Sequence, residues 1–312
     1  MMVTKKLCEY EMKFYLEKEF IMKKIWSLLL ALIFIFSSFI FTACGTTENP
    51  NEPQNIGYIP TKAVLTTSDG IYTVMLEFTE NHLISKKTLM KSDKIFETVE
   101  YTYDSSNKLI QFVQKRDGDK IFSVTEHIYD SNGMNTQSVL KNANGQIDSI
   151  VNKQYNSNGQ LKMLSDGLKP GNSVWKTLFL YDDNGNLTKV IGTDHNGITT
   201  VVNNTYDSNG KLIEKTSGTD KYTYTYDSDG RLIKVVGPGQ YALSLCEEYV
   251  TYTLAYDSNG NISEITITTN TDEKYTYTFE YERVTLPQNI EIPMDALIDE
   301  LYVELSVLEI SI

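Results

Sequence analysis

The chain has 312 residues, a formal net charge of −13 and 21 Tyr. An acidic chain without a basic stripe is not expected to bind nucleic acid, because phosphate recognition needs clustered Lys and Arg. Tyr and Thr favour pleated strands, and Asn, Asp and Gly favour turns, so the composition predicts β-hairpins.

The N-terminal region carries a secretion signal. Two lysines precede an almost wholly apolar stretch, residues 25–41, and small residues then lead to Cys44. This layout is typical of a secretory signal peptide with its cleavage site. The segment FTAC at 41–44 resembles the lipobox of bacterial lipoproteins, which implies lipidation of Cys44 and a true start at Met22. The alternative is an uncleaved transmembrane helix, since about 17 apolar residues approach the ~20 that span a bilayer.

Four regions follow from these patterns. Residues 1–43 are predicted to be an upstream extension and signal peptide, and residues 44–60 the lipidated Cys with a flexible polar tether. Residues 61–286 form a repeat domain. Residues 287–312 contain two prolines, a candidate short helix at 294–301 and a final apolar β segment. That last segment is either an edge strand or a plug for one mouth of the sheet.

The repeat domain is organised by a Tyr-Asp motif. The interval between copies is 26 residues three times and then 25, 20 and 30, which indicates a repeat architecture. A degenerate copy, FTENHLI, starts at Phe78. The seven intact copies begin at Tyr103, Tyr129, Tyr155, Tyr181, Tyr206, Tyr226 and Tyr256. Six of them carry the turn glycine, at Gly133, Gly159, Gly185, Gly210, Gly230 and Gly260.

The motif predicts a hairpin closed by a G1 bulge. Asp at its start can accept backbone N–H groups two residues on, and Gly at its end tolerates a left-handed conformation. In that register each Tyr faces the residue six positions later, as Tyr103 faces Leu109. Asn135 opposes Tyr129 in place of an aliphatic residue, so we expect that hairpin to be the weakest.

The arms between turns alternate in the manner of strands. Tyr222, Tyr224 and Tyr226 share one face, and the residues between them are polar. We therefore predict an all-β fold: an antiparallel up-and-down meander of hairpin repeats, on the order of 16 strands, coiled into a large barrel-like sheet, open or closed. The tyrosine face should turn inward. A membrane barrel needs an apolar band where this sheet has Thr, Lys, Glu and Asn.

The motif, at a spacing in the twenties, resembles the YD repeat of Rhs-type and teneurin-type proteins. The resemblance covers residues 103–262, although only Gly230-Arg231 echoes the Gly-Arg pair of the full repeat. It implies a shell of consecutive hairpins. The chain is also similar to uncharacterised lipoproteins of Bacteroidetes with a porin-like fold. Neither resemblance implies catalytic residues or a cofactor.

No catalytic or metal motif is evident. His82, His127 and His195 are expected to be solvated turn residues, far apart and without zinc-ligand spacing. Calcium is a weak possibility at Asp227 and Asp229, where carboxylates lie close together in a turn.

The leading functional hypothesis is a non-enzymatic surface lipoprotein, held to the cell envelope by its lipid, that binds an extracellular glycan or protein. The alternative is a structural β-shell that encloses or presents another polypeptide. A catalytic role is the least favoured interpretation, because Cys246 has no nearby His to activate it.

Overall fold

The structure is a computed structural model that describes residues 56–67, 70–168, 175–239 and 247–285. The signal peptide, Cys44, Cys246 and the C-terminal segment from residue 286 lie outside the described residues. All regular structure in the described part is β-strand. The eighteen strands are β1 (Ile56–Thr67), β2 (Gly70–Phe78), β3 (Ile84–Lys91), β4 (Lys94–Tyr103), β5 (Leu109–Arg116), β6 (Lys120–Tyr129), β7 (Asn135–Asn142), β8 (Ile147–Tyr155), β9 (Leu161–Asp166), β10 (Lys176–Tyr181), β11 (Leu187–Thr193), β12 (Thr199–Tyr206), β13 (Leu212–Ser217), β14 (Asp220–Tyr226), β15 (Leu232–Gly239), β16 (Glu247–Tyr256), β17 (Ile262–Thr269) and β18 (Lys274–Thr285).

The strands form one closed meander. Each strand pairs antiparallel with its neighbours in sequence, and β1 also pairs with β18 from Ile56–Thr285 to Thr66–Thr276. The eight motif copies account for β2 to β17, the sixteen strands expected, and the two flanking strands complete the ring. Closure removes the unpaired edges that an open sheet would expose. The predicted all-β meander is confirmed, and of its two forms the structure has the closed barrel.

The first and last described strands lie near the predicted limits of the repeat domain, residues 61 and 286. The tether was expected to run to residue 60, but β1 already begins at Ile56. Residues 56–60 pair with β18 in the sheet. This backbone pairing makes them a strand despite the polar, turn-like composition that suggested a tether. The last described strand ends at Thr285.

The inner face of the barrel has two apolar clusters. The larger one combines side chains of β1–β3 with those of β13–β18, including Leu65, Tyr252 and Tyr277, each almost fully buried. The smaller one joins β8, β9 and β10 around Leu164, Trp175 and Phe179. The inward-facing tyrosines predicted from the alternation are therefore part of the core.

The outer face carries cross-strand ion pairs together with exposed apolar side chains such as Ile128 and Leu180. Lys115 Nζ lies 2.7 Å from Glu100 Oε1, and Lys141 Nζ lies 2.7 Å from Glu126 Oε2. Such exposed pairs stabilise a sheet by only about 0.2–1 kcal/mol each. Within the described residues no helix is long and apolar enough to cross a membrane.

Candidate functional site

Each motif folds into the same hydrogen-bonded turn, which the 181–187 copy illustrates. The Gly185 N–H donates to the Asp182 carbonyl at 3.0 Å, and the Asp182 N–H donates to the Asn186 carbonyl at 2.9 Å. Asp182 Oδ1 accepts the N–H groups of Asn184 and Asn186 at 2.9 and 2.8 Å. Gly185 has a φ of 86°, a left-handed conformation that Gly adopts without strain.

The first turn residue thus serves as an internal cap in every intact copy. Its side-chain oxygen accepts the same two N–H groups at Asp104, Asp130, Asn156, Asp182, Asp207, Asp227 and Asp257. Hydrogen bonding favours the charged form, so the pKa of Asp182 lies below its usual range, chiefly through the Asn186 side-chain amide. Asn156 shows that an amide can replace the carboxylate in this turn.

The strand registers confirm the predicted cross-strand pairs. Tyr103 lies opposite Leu109, with a one-residue register shift at the pair that corresponds to the expected bulge. The six other intact copies show the same shift, including Tyr129 opposite Asn135.

The motif tyrosine also has a role that the sequence did not reveal. In each hairpin one residue lies opposite the motif tyrosine. The strand pairing with the next hairpin ends two residues away from that residue. Its carbonyl accepts a hydrogen bond from the hydroxyl of the motif tyrosine in the next copy instead. Tyr181 Oη, for example, donates to the Leu161 carbonyl at 2.8 Å. The other intact copies pair Tyr103 with Ile84, Tyr129 with Leu109, Tyr155 with Asn135, Tyr206 with Leu187, Tyr226 with Leu212 and Tyr256 with Leu232. Tyr281 continues the series to Ile262.

In several copies a long side chain connects one motif turn to the next. This side chain belongs to the residue that follows the turn glycine, or that follows Asn107 in the first copy, which has no glycine there. Lys108, Lys211 and Arg231 each hold a cation 5.5, 5.2 and 5.0 Å from the ring centroid of the next motif tyrosine. These distances allow a cation–π interaction. Gln160 bridges differently, since its Nε2 donates to the Gly185 carbonyl at 3.0 Å.

Asn186 is the equivalent residue between the turns of the 181 and 206 copies, and its Oδ1 lies 3.9 Å from the position that a Cβ on Gly210 would take. Asn186 has a short side chain, and its Nδ2 turns back to donate to Asp182 Oδ2 at 2.9 Å. A groove of about 570 Å³ lies there, lined by Asp182, Asn184, Asn186, Asn204, Tyr206 and Asp207 among others. No Lys or Arg lines it. We refer to it as the 182/207 groove.

Asn204 is the buried member of this groove. It is 8% exposed, and its Nδ2 donates to the Leu187 carbonyl at 2.9 Å. Its Oδ1 is buried without a hydrogen-bond partner. A buried acceptor left unsatisfied costs roughly 1–3 kcal/mol, so a donor group placed there would be stabilising. The groove thus combines this buried oxygen with the carboxylates of Asp182 and Asp207, which accept hydrogen bonds within their own turns.

The carboxylates of Asp227 and Asp229, the weak calcium candidate, contact other groups of the same turn. Asp227 Oδ1 accepts two backbone N–H groups, and its Oδ2 accepts Arg231 Nε at 2.8 Å. Arg231 Nη2 also lies 3.1 Å from Asp229 Oδ2. Within the described ranges no three His, Cys, Asp or Glu side chains group closely enough to hold a metal ion.

The expectation that all three histidines are solvated turn residues is wrong for His127. It lies within β6, on the inner face, and is 8% exposed. Asn135 Nδ2 lies 3.2 Å and Ser138 Oγ 2.8 Å from its Nδ1, and its Nε2 is buried without a hydrogen-bond partner. Burial and then the charge of Lys153 lower the pKa of His127 to about 4. The inner face here is polar, which the sequence alternation did not distinguish from an outer position.

Sequence reasoning found the turns but missed the 182/207 groove. Asn204 and Asn186 belong to no motif that suggests a site. A usable signal was the residue after the glycine, which is long in several copies and short at Asn186. Only the contact between turns shows what that difference does.

Comparisons with known proteins support the repeat assignment. The sequence profile of the RHS Repeat matches residues 206–242. No curated protein matches the sequence. A porin-like protein from Bacteroides uniformis ATCC 8492 is 15% identical, with a TM-score of 0.40 over 72% of this chain and 98% of that one.

Two further solved structures are similar over much of the barrel. A porin-like protein from Bacteroides vulgatus ATCC 8482 is 13% identical, with a TM-score of 0.28 over 72% of this chain and 98% of that one. A structure described as TcdB2-TccC3-TEV is 19% identical, with a TM-score of 0.37 over 65% of this chain. This chain spans only 12% of the length of that protein. The chain therefore carries YD repeats of the RHS type, folded into a closed eighteen-stranded β-barrel.

Proposed function

We propose that this protein is a non-enzymatic lipoprotein of the cell envelope whose YD-repeat barrel binds an extracellular ligand, a glycan or a protein. The observation that carries the ligand-binding role is the 182/207 groove, where the Asn204 Oδ1 is buried without a partner. The lipobox-like segment that ends at Cys44 supports the anchored location.

The position of the first strand is compatible with a lipid anchor. β1 begins at the end of the barrel that holds the motif turns, since Tyr58 Oη donates to Asn259 Oδ1 at 3.2 Å. The twelve residues from Cys44 to Ile56 span at most about 40 Å of extended chain. The anchor would therefore attach at the same end as the 182/207 groove.

The buried His127 supports a non-catalytic role. The contact between His127 Nδ1 and Ser138 Oγ resembles a base beside a nucleophile, but Ser138 is 1% exposed. A catalytic nucleophile must reach its substrate. This pair instead resembles a polar contact of the core.

The proposal is tested in two steps on the full chain. Mass spectrometry of the membrane-bound protein should find a diacylglyceryl group on Cys44, and Cys44→Ala should release the protein from the membrane. Arrays of glycans and extracellular proteins are then probed with the lipidated protein. An unmodified Cys44 would rule out the anchor, and a wild-type protein that retains nothing from either array would count against ligand binding.

A structural shell is the second candidate, favoured by the complete ring of β1 to β18. A shell that encloses another polypeptide should copurify with it in a fixed stoichiometry. Native mass spectrometry separates the two candidates, because a binding module is purified empty and a shell is not.

A further inference from the structure

A row of exposed apolar side chains follows the end of the barrel opposite the motif turns. β2, β4, β6 and β8 all begin at this end, and each has an exposed isoleucine within its first two residues. These four residues, which we call the isoleucine row, are Ile71, Ile95, Ile121 and Ile147, with exposed fractions of 51, 63, 48 and 49%. Successive members lie two strands apart, which is about 10 Å. Single exposed apolar residues are ordinary on a protein surface, whereas a continuous row indicates an interaction site.

The turns beside the isoleucine row carry paired opposite charges. Asp93 precedes Lys94 in the β3–β4 turn, and Asp119 precedes Lys120 in the β5–β6 turn. The two aspartates have similar left-handed conformations, with φ of 65° and 71°, and each lysine is the first residue of its strand. The two hairpins therefore present the same charge pair in the same way.

The local charge near the isoleucine row differs from that of the whole chain. Residues 91–94 and 116–120 contain four basic and three acidic residues, whereas the chain has a net charge of −13. An acidic excess would keep two copies of the chain apart through repulsion between like charges. These two turns do not carry that excess, and they offer both signs of charge to a second surface.

We propose that the isoleucine row is an interface between two copies of this chain. A two-fold axis between the β3–β4 and β5–β6 hairpins places Ile95 of one copy against Ile121 of the other. The same axis brings Lys94 toward Asp119 of the second copy and Asp93 toward Lys120. An isologous contact requires a surface that is complementary to itself, and apolar residues flanked by charges that the axis exchanges meet this requirement.

This interface goes beyond the proposed ligand-binding role and is independent of it. The 182/207 groove lies between motif turns, at the opposite end of the barrel. The proposed lipid anchor attaches at that end as well, so the membrane would leave the isoleucine row accessible to a second copy.

The first test measures the oligomeric state of the full chain by native mass spectrometry over a range of protein concentrations. The wild type should form a dimer that dissociates on dilution. Ile121→Ser should weaken the dimer about tenfold, since both copies lose apolar surface that the contact buries. Ile128→Ser is the matched control and should dimerise as the wild type does. Ile128 lies on the same strand and is also 48% exposed, but it stands at the end that holds the motif turns.

A second pair of variants tests the two-fold arrangement. Lys94→Glu places a carboxylate near Asp119 of the second copy and should weaken the dimer about threefold. Adding Asp119→Asn removes that repulsion and should restore most of the affinity. The turn should tolerate this change, because Asn adopts a left-handed conformation about as readily as Asp does.

The outcomes separate this inference from the proposed function. A wild type that stays monomeric at its highest soluble concentration would overturn the interface. So would a dimer that Ile121→Ser and Ile128→Ser weaken equally, with circular dichroism showing that both variants keep the fold, because the contact would then lie elsewhere. Neither result bears on the array experiment, and an array that retains no ligand would leave the dimer unaffected.

Discussion

The hydroxyl of the motif tyrosine can be tested by comparing two tyrosines that share a motif but not an environment. Tyr181 Oη is the donor that the structure shows at the Leu161 carbonyl, 2.8 Å away. Tyr206 Oη donates to the Leu187 carbonyl at 2.9 Å, but that carbonyl also accepts Asn204 Nδ2 at 2.9 Å. Removing the hydroxyl should therefore have different effects at the two positions.

Tyr181→Phe should lower the free energy of unfolding by about 1 kcal/mol, because it removes a hydrogen bond and leaves a carbonyl unsatisfied. For a domain of this size that corresponds to about 2–4 °C in Tm. Tyr206→Phe should cost less than about 0.5 kcal/mol, since the Asn204 amide still satisfies the carbonyl.

Reversible urea unfolding followed by circular dichroism measures both changes. Tyr206→Phe in an Asn204→Ala background should recover the full effect, which a double-mutant cycle reports as coupling between the two side chains. Tyr129→Phe provides a second single-donor case, with Leu109 as its acceptor at 2.7 Å. Equal losses at Tyr181 and Tyr206, or no loss at Tyr181, would refute the role given to the hydroxyl.

Three further predictions concern the turns and the inner face. Gly159→Ala should cost about 1–2 kcal/mol from backbone strain alone, because φ is 80° and an added Cβ meets nothing within 4 Å, whereas Gly192→Ala, equally open but without a positive φ, should be close to neutral in the same melt. Asp104→Ala should lower the free energy of unfolding by about 1 kcal/mol, because the Asp104 carboxylate accepts the Ser106 and Lys108 N–H groups. Asp104→Asn should retain most of that stability in urea titrations, since an amide oxygen accepts the same bonds. An equal loss in both variants would mean that the charge of the carboxylate, and not its acceptor oxygen, stabilises the turn. The pKa of His127 is about 4 in the folded chain and 6.5 in the unfolded chain, so between these values the unfolded chain binds an extra proton. The free energy of unfolding should therefore fall by about 3 kcal/mol as the pH drops from 6.5 to 4. A pH dependence of the same slope in His127→Gln would contradict this.

The sequence by itself determined the local part of this fold. The turn motif specifies its own hydrogen bonds within seven residues, and the bulge it creates sets the pairing of each tyrosine with the residue six positions later. Strand alternation then gave the inward tyrosine face. These features follow from backbone geometry and side chains that are neighbours along the chain, so they can be read from one copy of the motif.

Only the tertiary structure decided the features that join distant residues. Whether the sheet closes depends on β1 meeting β18, and the burial of His127 depends on side chains of nearby strands, among them Phe112 and Ser138. The acceptor of each tyrosine hydroxyl lies in the preceding hairpin, as Leu161 does for Tyr181. The 182/207 groove lies between two turns that the fold places side by side, and the short side chain of Asn186 can be related to it only once those turns are known to be neighbours.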